Sequence, residues 1–422
     1  MKFWSVTLSG KLAICEGESC LTYRELFEKA TKWALNSRVV FAARNSLWSY
    51  AALMGLLHGG GEVALVDPLT VSEDLKMIIE DFSPDLIVGD EEFLQQNAEV
   101  LKNYKTLSVN SPPNGGGWTY DTTFVMYYAG IAGRTMQVLN KTSSLWINAH
   151  SLALAMGLEK ADVVYVTAPI THVLGLVTSM AALAAGGMVS LMKKLSPNVV
   201  EELSKATVIV GAPAFYAEVL KIGVGKLGAK FAVSGGAYLA PDLRARFEEV
   251  TGVRILQVYG LTEGLVLTFE PPSAYGKGSV GAPLPLVEIR LLEDGELAVK
   301  APWVMRGYKD PEETKRAFID GWLRTGDILE EREGLLYFKG VKKRMIKYKG
   351  YPIFPRDLEE ILKRHPAVLE AKVVGELHPE YGEVPVAYIK VKGEVSEENL
   401  LNFINSQVAF YKRLKKIYIE RI

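Results

Sequence analysis

The chain predicts an α/β fold with three parts: a large amino-terminal domain of mixed, mostly parallel sheets with flanking helices, a β-rich subdomain, and a small α+β carboxyl-terminal domain on a hinge. Three observations carry this. Short β-branched runs alternate with helical periods over the first two thirds of the sequence. Composition turns rich in Pro and Gly from Pro271 to Pro285. A compact region of mixed helical and strand patterning follows Gly340. The expected divisions are 1–340, with the β-rich part at about 271–340, and 341–422.

The first alternation begins at Tyr23 to Leu35, where apolar residues fall at helical spacing. Val39 to Ala43 reads as a strand, Ser49 to Leu57 as a helix, and Glu62 to Val66 as a strand ending at Asp67-Pro68; Leu86 to Val88 is another strand. The pattern resumes at Val163 to Ala168, Val189 to Met192, Val208 to Val210, Phe231 to Ser234 and Ile255 to Tyr259. Each of these runs ends near Gly, Pro or Ser. Small residues therefore gather at the carboxyl ends of the strands, the edge at which open α/β sheets bind ligands. A site is expected near Pro169, Gly211, Gly235 and Gly260.

Glu288 to Lys300 reads as a hairpin turning at Asp294-Gly295. Beyond Gly340, helical spacing at Asp357 to Arg364 is followed by strands at Ala371 to Val374 and Val384 to Val391, then a last helix over Glu397 to Phe410. The sequence contains no internal repeat and no low-complexity segment.

Composition narrows the function classes. A chain of 422 residues exceeds the size at which single cores stop growing, so more than one domain is expected. A net charge of -1 gives no support for nucleic acid or an anionic membrane as the main partner. No run reaches membrane-spanning length. Cys15 and Cys20 are too few for a disulfide framework and lack a metal spacing, so two small, partly buried thiols in a reducing compartment are expected, and with them a cytoplasmic location. The sequence leaves a homodimer open.

The densest chemical signal is Gln257-Val258-Tyr259-Gly260-Leu261-Thr262-Glu263, an apolar β run that ends in a glycine turn and presents a hydroxyl beside a carboxylate. That pair suits a nucleotide phosphate and its magnesium ion; a helix cap with an acid in the first turn is the other reading. Gly295-Glu296-Leu297, Arg306-Gly307-Tyr308, Gly321 to Ile328 and Gly340 to Glu359 follow in order. With Leu21-Thr22-Tyr23-Arg24-Glu25-Leu26 near the start, this series resembles the adenylate-forming superfamily of acyl-CoA synthetases, peptide-synthetase adenylation domains and firefly luciferase. The resemblance spans nearly the whole chain and is greatest to a short acyl-CoA ligase.

The resemblance implies ATP or AMP, Mg²⁺ and CoA as cofactors and a small carboxylic acid as substrate. Ser234-Gly235-Gly236-Ala237 and Gln257-Val258-Tyr259 would flank the purine, Tyr259 offering an aromatic face, with Gly260 in the turn that follows. Thr262 would donate to the α-phosphate, Glu263 would hold Mg²⁺, and Asp327 would accept the ribose hydroxyls. His172 would border an acyl pocket walled by the apolar stretch Val173 to Ala185 with Gly211, Ala212 and Gly236. Gly350, within Lys347-Tyr348-Lys349-Gly350-Tyr351, would admit the pantetheine arm. A fatty or other hydrophobic acid follows from those apolar segments.

Three departures accompany the resemblance. The phosphate loop reads Tyr128 to Gln137 and keeps Gly130 and Gly133, but Ile131, Ala132 and Met136 stand where hydroxyls and a lysine are expected. Backbone amides can still cradle phosphate, and Arg134 offers a replacement charge. At the hinge, Gly340-Val341 lacks the usual arginine. The stretch Phe410 to Ile417 matches the family, but no residue of the sequence occupies the place of the catalytic lysine beyond it. Losing such a charge costs roughly a hundredfold to a thousandfold in rate, so slow adenylation is expected unless Lys415, Lys416 or a partner chain substitutes. A non-catalytic adenylate or acyl-CoA binding relative is the alternative.

Overall fold

The computed structural model describes residues 10–129, 135–192, 198–342, 346–353 and 355–421. Two large sheets sandwich a layer of helices. The first sheet has nine strands, in spatial order Ala282–Pro283, Leu265–Phe269, Ile255–Leu261, Phe231–Ser234, Val208–Gly211, Val163–Val166, Met188–Leu191, Leu12–Glu16 and Ser19–Thr22. The second has seven, running from Gly307–Tyr308 through Thr135–Lys141, Thr123–Ala129, Glu62–Leu65, Arg38–Ala42 and Leu86–Gly89 to Thr106–Ser108.

Pairing is parallel between strands joined by a helical crossover, as between Val208–Gly211 and Phe231–Ser234, and antiparallel where a short turn suffices, as between Thr123–Ala129 and Thr135–Lys141; the edge strand Gly307–Tyr308 also pairs antiparallel, with Thr135–Lys141 from far along the chain. The sheets are therefore mixed, as the alternation predicted, with antiparallel pairs at their edges. Helices Leu47–Leu56, Thr142–Met156 and Val173–Ala184 share one core with strands of both sheets. Nine of the ten residues of Leu47–Leu56 are buried, which is why this helix is apolar all round instead of amphipathic. Gly175 lets the helix Val173–Ala184 start hard against the preceding loop: a Cβ there would lie 2.2 Å from the Pro169 carbonyl oxygen.

The Pro- and Gly-rich stretch does lead into a β-rich subdomain. Its sheet orders Glu288–Leu291, Glu296–Lys300, Trp322–Arg332 and Phe318–Ile319, with Leu335–Val341 paired to Trp322–Arg332. Gly295, at φ 79°, makes the expected hairpin turn. The carboxyl-terminal unit has its own core, built on helices Pro355–Lys363 and Glu397–Asn405 and a five-stranded sheet. One expectation is corrected here, and one strand was not foreseen. The last helix stops at Asn405 instead of Phe410, and Lys416–Arg421 forms a strand parallel to Gly382–Val391. Ile417 and Ile419 already alternate with Tyr418 and Glu420, the period-two pattern of a strand.

The cysteines are also corrected. Cys15 and Cys20 form a disulfide across the hairpin of Leu12–Glu16 and Ser19–Thr22. Their strands pair antiparallel with the two residues directly opposite, Cα to Cα 4.1 Å apart. The physical reason is register: a five-residue separation turns the chain back on itself and faces the two side chains together. Among the described residues, no helix is long and apolar enough to cross a membrane.

Candidate active site

Thr262 and Glu263 occupy the turn between Ile255–Leu261 and Leu265–Phe269, two antiparallel strands, so the helix-cap reading of this pair is replaced by a β-hairpin. Gly260 makes the bend possible, since a Cβ there would sit 2.1 Å from the Leu265 carbonyl oxygen. The Tyr308 hydroxyl donates to Glu263 Oε1 at 2.6 Å, and the Met305 amide donates to the Glu263 carbonyl at 2.7 Å. The other Glu263 oxygen has no hydrogen-bond partner among the described residues.

Asp327 lies within the long strand Trp322–Arg332 and is 4% exposed. Tyr259 donates its hydroxyl to Asp327 Oδ2 at 2.8 Å. Burial, reinforced by the Asp327 charge, keeps that phenol protonated. The turn before Asp327 is held from below by Glu296, whose Oε1 accepts the Gly326 amide at 3.1 Å, while the Thr325 hydroxyl donates to the Leu297 carbonyl at 2.8 Å. Burial alone would raise the Glu296 pKa, but hydrogen bonds from Arg324 and Lys342 outweigh it and hold the carboxyl below its ordinary range.

His172 stands at the start of the helix Val173–Ala184. The loop that delivers it is clamped by Asn45, which donates to the Ala168 carbonyl and accepts the Ile170 amide, both at 2.9 Å. His172 Nε2 meets Asp67 Oδ2 at 2.6 Å.

The carboxyl-terminal domain closes the opposite side. Ile346–Tyr348 and Tyr351–Ile353 form a hairpin whose two turn residues, Lys349 and Gly350, both have positive φ, at 51° and 88°. That is the two-residue turn whose twist matches flanking strands. The turn enters the amino-terminal domain: a Cβ built on Gly236 would be 3.5 Å from the Gly350 Cα. Tyr351 sets its ring edge against His172, centroids 5.1 Å apart. Farther out, the nearly buried Lys412 pairs with Asp74 at 3.0 Å, and Lys221 pairs with Glu380 at 2.8 Å.

These segments line one cavity of about 880 Å³ between the domains. His172, Gly235, Gly236, Gly260, Thr262, Glu263, Asp327 and Gly350 all face it. Ala237, Gln257, Val258 and Tyr259 are not among its lining residues. Ala237 instead packs toward Gly382, its Cβ 3.3 Å from a Cβ built there, and Gln257 donates its side-chain amide to the Ser279 carbonyl at 2.8 Å. Val258 lies under Gly235, where a Cβ would meet it at 2.6 Å. The Tyr259 ring is packed with Val138, Leu267 and Leu297, so an aromatic face toward a purine is corrected to a hydroxyl toward Asp327. Gly130 and Gly133 lie outside the described residues, as does Arg134. Lys415 and Lys416 do not line the cavity; their ammonium groups lie over the Tyr348 and Tyr418 rings.

Sequence reasoning passed over Asp67, Glu296, Tyr308 and the Lys412–Asp74 pair as site elements. Tyr308 and Glu296 stand inside segments whose order was informative, and that position was the available signal. Asp67 and Asp74 meet partners more than a hundred residues away, a relation local pattern does not carry.

Residues 4–309 match the AMP-binding enzyme family, and residues 357–421 match the AMP-binding enzyme carboxyl-terminal domain. The chain belongs to this family. Among curated relatives, the 2-succinylbenzoate–CoA ligase of Bacillus cytotoxicus is 28% identical, over 97% of this chain and 91% of its own. A malonyl-CoA ligase solved as a ternary product complex with methylmalonyl-CoA and AMP has a TM-score of 0.86 at 28% identity, over 100% of this chain and 98% of that one. The o-succinylbenzoate CoA synthetase of Bacillus subtilis, at 24% identity, shares the fold. Its complex with a product analogue gives a TM-score of 0.89, over 100% and 94% of the two chains, whereas its complex with the acyl-adenylate intermediate gives 0.74, over 100% and 93%.

Proposed function

We propose that this chain is an AMP-forming acid–CoA ligase, joining a carboxylic acid to ATP as an acyl adenylate with release of pyrophosphate, then passing the acyl group to CoA with release of AMP. One observation carries the reading: Thr262, Glu263 and Asp327 share a cavity with the Lys347–Tyr351 hairpin, which reaches it from the other domain. Adenylate-holding and thiol-admitting residues thus face one space. The docked arrangement is the one a thioester-forming step needs, and its likeness to product complexes supports that assignment.

Each residue has a task its chemistry fits. Asp327, fixed by Tyr259, accepts the ribose hydroxyls. Thr262 donates to the α-phosphate. Glu263 holds Mg²⁺, which binds through one or two carboxylates together with substrate phosphates; its unpartnered oxygen suits an ion that arrives with the nucleotide. When bound, Mg²⁺ supplies charge neutralisation at the phosphates. Gly236 and Gly350 let the two backbones approach closely where the pantetheine arm would pass, a Cβ on Gly236 lying 3.5 Å from the Gly350 Cα.

The acid we assign is a monocarboxylic acid with an uncharged, apolar acyl group, fatty or otherwise hydrophobic. On the wall formed by residues 168–174, 212–218 and 235–236, the ionisable groups lining the cavity are His172 and Glu218 alone among the described residues. The acids in the names of the relatives carry a second carboxylate. No guanidinium or ammonium of that wall would receive it.

A pyrophosphate-exchange assay across mono- and dicarboxylic acids, paired with CoA thioester formation from supplied acyl adenylates, tests the reading. Exchange with hydrophobic monoacids and thioester formation are expected. Calorimetric binding of AMP or acyl-CoA with both reactions silent would replace the ligase with a binding protein, and preference for dicarboxylates would remove the assigned acid.

A further inference from the structure

Thioester formation needs a thiolate, and an ordinary thiol near pKa 8.5 is only a few per cent ionised at neutral pH. Carboxylates such as Glu73, which also lines the cavity, are weak bases toward a thiol; Glu263 and Asp327 already accept phenolic hydroxyls, Asp74 is paired with Lys412, and Glu218 is paired with Lys221. An imidazole is the side chain best matched to take that proton near neutral pH. His172 is the only imidazole that lines the cavity among the described residues.

Asp67 fixes that imidazole. Its Oδ1 accepts the Leu69 amide at 2.7 Å, its Oδ2 meets His172 Nε2 at 2.6 Å, and its side chain is only 10% exposed. An immobile carboxylate at Nε2 keeps the proton on that nitrogen and leaves the lone pair on Nδ1. Nδ1 has no hydrogen-bond partner among the described residues. The titratable groups recorded against the ring are Asp67 and, from the other domain, the Tyr351 phenol, which burial and then the Asp67 charge keep protonated; Lys347 and Lys349 share the cavity. Tyr351 adjoins Gly350. Docking of the carboxyl-terminal hairpin therefore covers the imidazole at the point where the thiol would enter.

We propose that His172, oriented by Asp67, is the general base of thioester formation, an inference that rests on the ligase reading. The thiol proton passes to His172 Nδ1 as sulfur bonds to the carbonyl carbon of the acyl adenylate. The bond from that carbon to the phosphate oxygen breaks, AMP leaves with the electron pair, and the imidazolium returns its proton to solvent. His172 is the catalytic residue and Asp67 the positioning residue.

Single-turnover thioester formation from supplied acyl adenylate, followed from pH 6 to 9.5, tests this, with AMP binding by calorimetry to establish that each variant folds. His172→Gln should be slowed about a hundredfold at pH 7, and the deficit should shrink steadily above the thiol pKa, where solvent supplies thiolate. Asp67→Asn should lose about tenfold with a displaced pH profile, and Asp67→Glu should regain part of both. A His172→Gln deficit that is the same at every pH would overturn the proposal and leave His172 as pocket wall. A folded wild-type protein that makes no thioester from any supplied adenylate would overturn the ligase reading itself.

Discussion

The two walls of the cavity are built differently. On the amino-terminal side each acid is held by a partner packed beneath it: the Tyr308 hydroxyl donates to Glu263, the Tyr259 hydroxyl donates to Asp327, and Glu296 accepts the Gly326 amide of the turn that carries Asp327. On the carboxyl-terminal side the hairpin is held across the gap by a ring edge and two ion pairs, of which Lys221–Glu380 is substantially exposed. A preorganised wall keeps its geometry with or without substrate. A wall docked through a few polar contacts can leave and return, which a two-step reaction in one cavity requires.

The largest break in that contrast is expected from Asp327→Ala. It removes the proposed ribose acceptor and strands a buried phenol, so pyrophosphate exchange should fall about a hundredfold and stability by about 1 to 3 kcal/mol, read by initial rates and urea unfolding. Next is Glu296→Gln, which should cost about 1 to 3 kcal/mol by loosening hydrogen bonds to a buried charge. Its pH signature has a definite sign. The folded-state pKa of Glu296 lies below its ordinary value of 4.5, so its contribution is complete above that pH and is lost as pH falls through the lower folded value. Unfolding curves from pH 7 to 3 should show this acid loss in wild type and a reduced loss in Glu296→Gln.

A smaller effect is expected on the docked wall. Lys412→Met leaves Asp74 half-buried and unpaired, and thioester formation should fall about tenfold while pyrophosphate exchange changes less than threefold; equal losses in the two assays would mean the walls are not separable. Reduction of Cys15–Cys20 touches neither wall. It should lower stability by about 2 kcal/mol, as a short closed loop predicts, with both half-reactions intact once the protein is folded.

The fixed wall was the more legible in the sequence. Thr262, Glu263 and Asp327 reach the cavity as expected, because their segments are short and their glycines fix the turns. Tyr259 was misjudged because a strand residue can face either side of its sheet, and the shift in pairing at Tyr259 and Gly260 is invisible before the partner strand is known. The inner parallel strands from Arg38–Ala42 to Phe231–Ser234 were found to within about two residues, since buried strands read as continuous apolar runs, whereas Leu12–Glu16, Thr106–Ser108, Thr123–Ala129 and Lys416–Arg421 were not foreseen. The disulfide and the Asp67–His172 pair escaped for opposite reasons. The first depends on a hairpin register too local to be set by apolar pattern, the second on contact across 105 residues.

The account stands most directly on the products of one reaction. With ATP, Mg²⁺, CoA and a hydrophobic monocarboxylic acid, AMP, pyrophosphate and acyl-CoA should appear together in equal amounts. ADP in place of AMP, or no acyl-CoA across an acid panel, would contradict it.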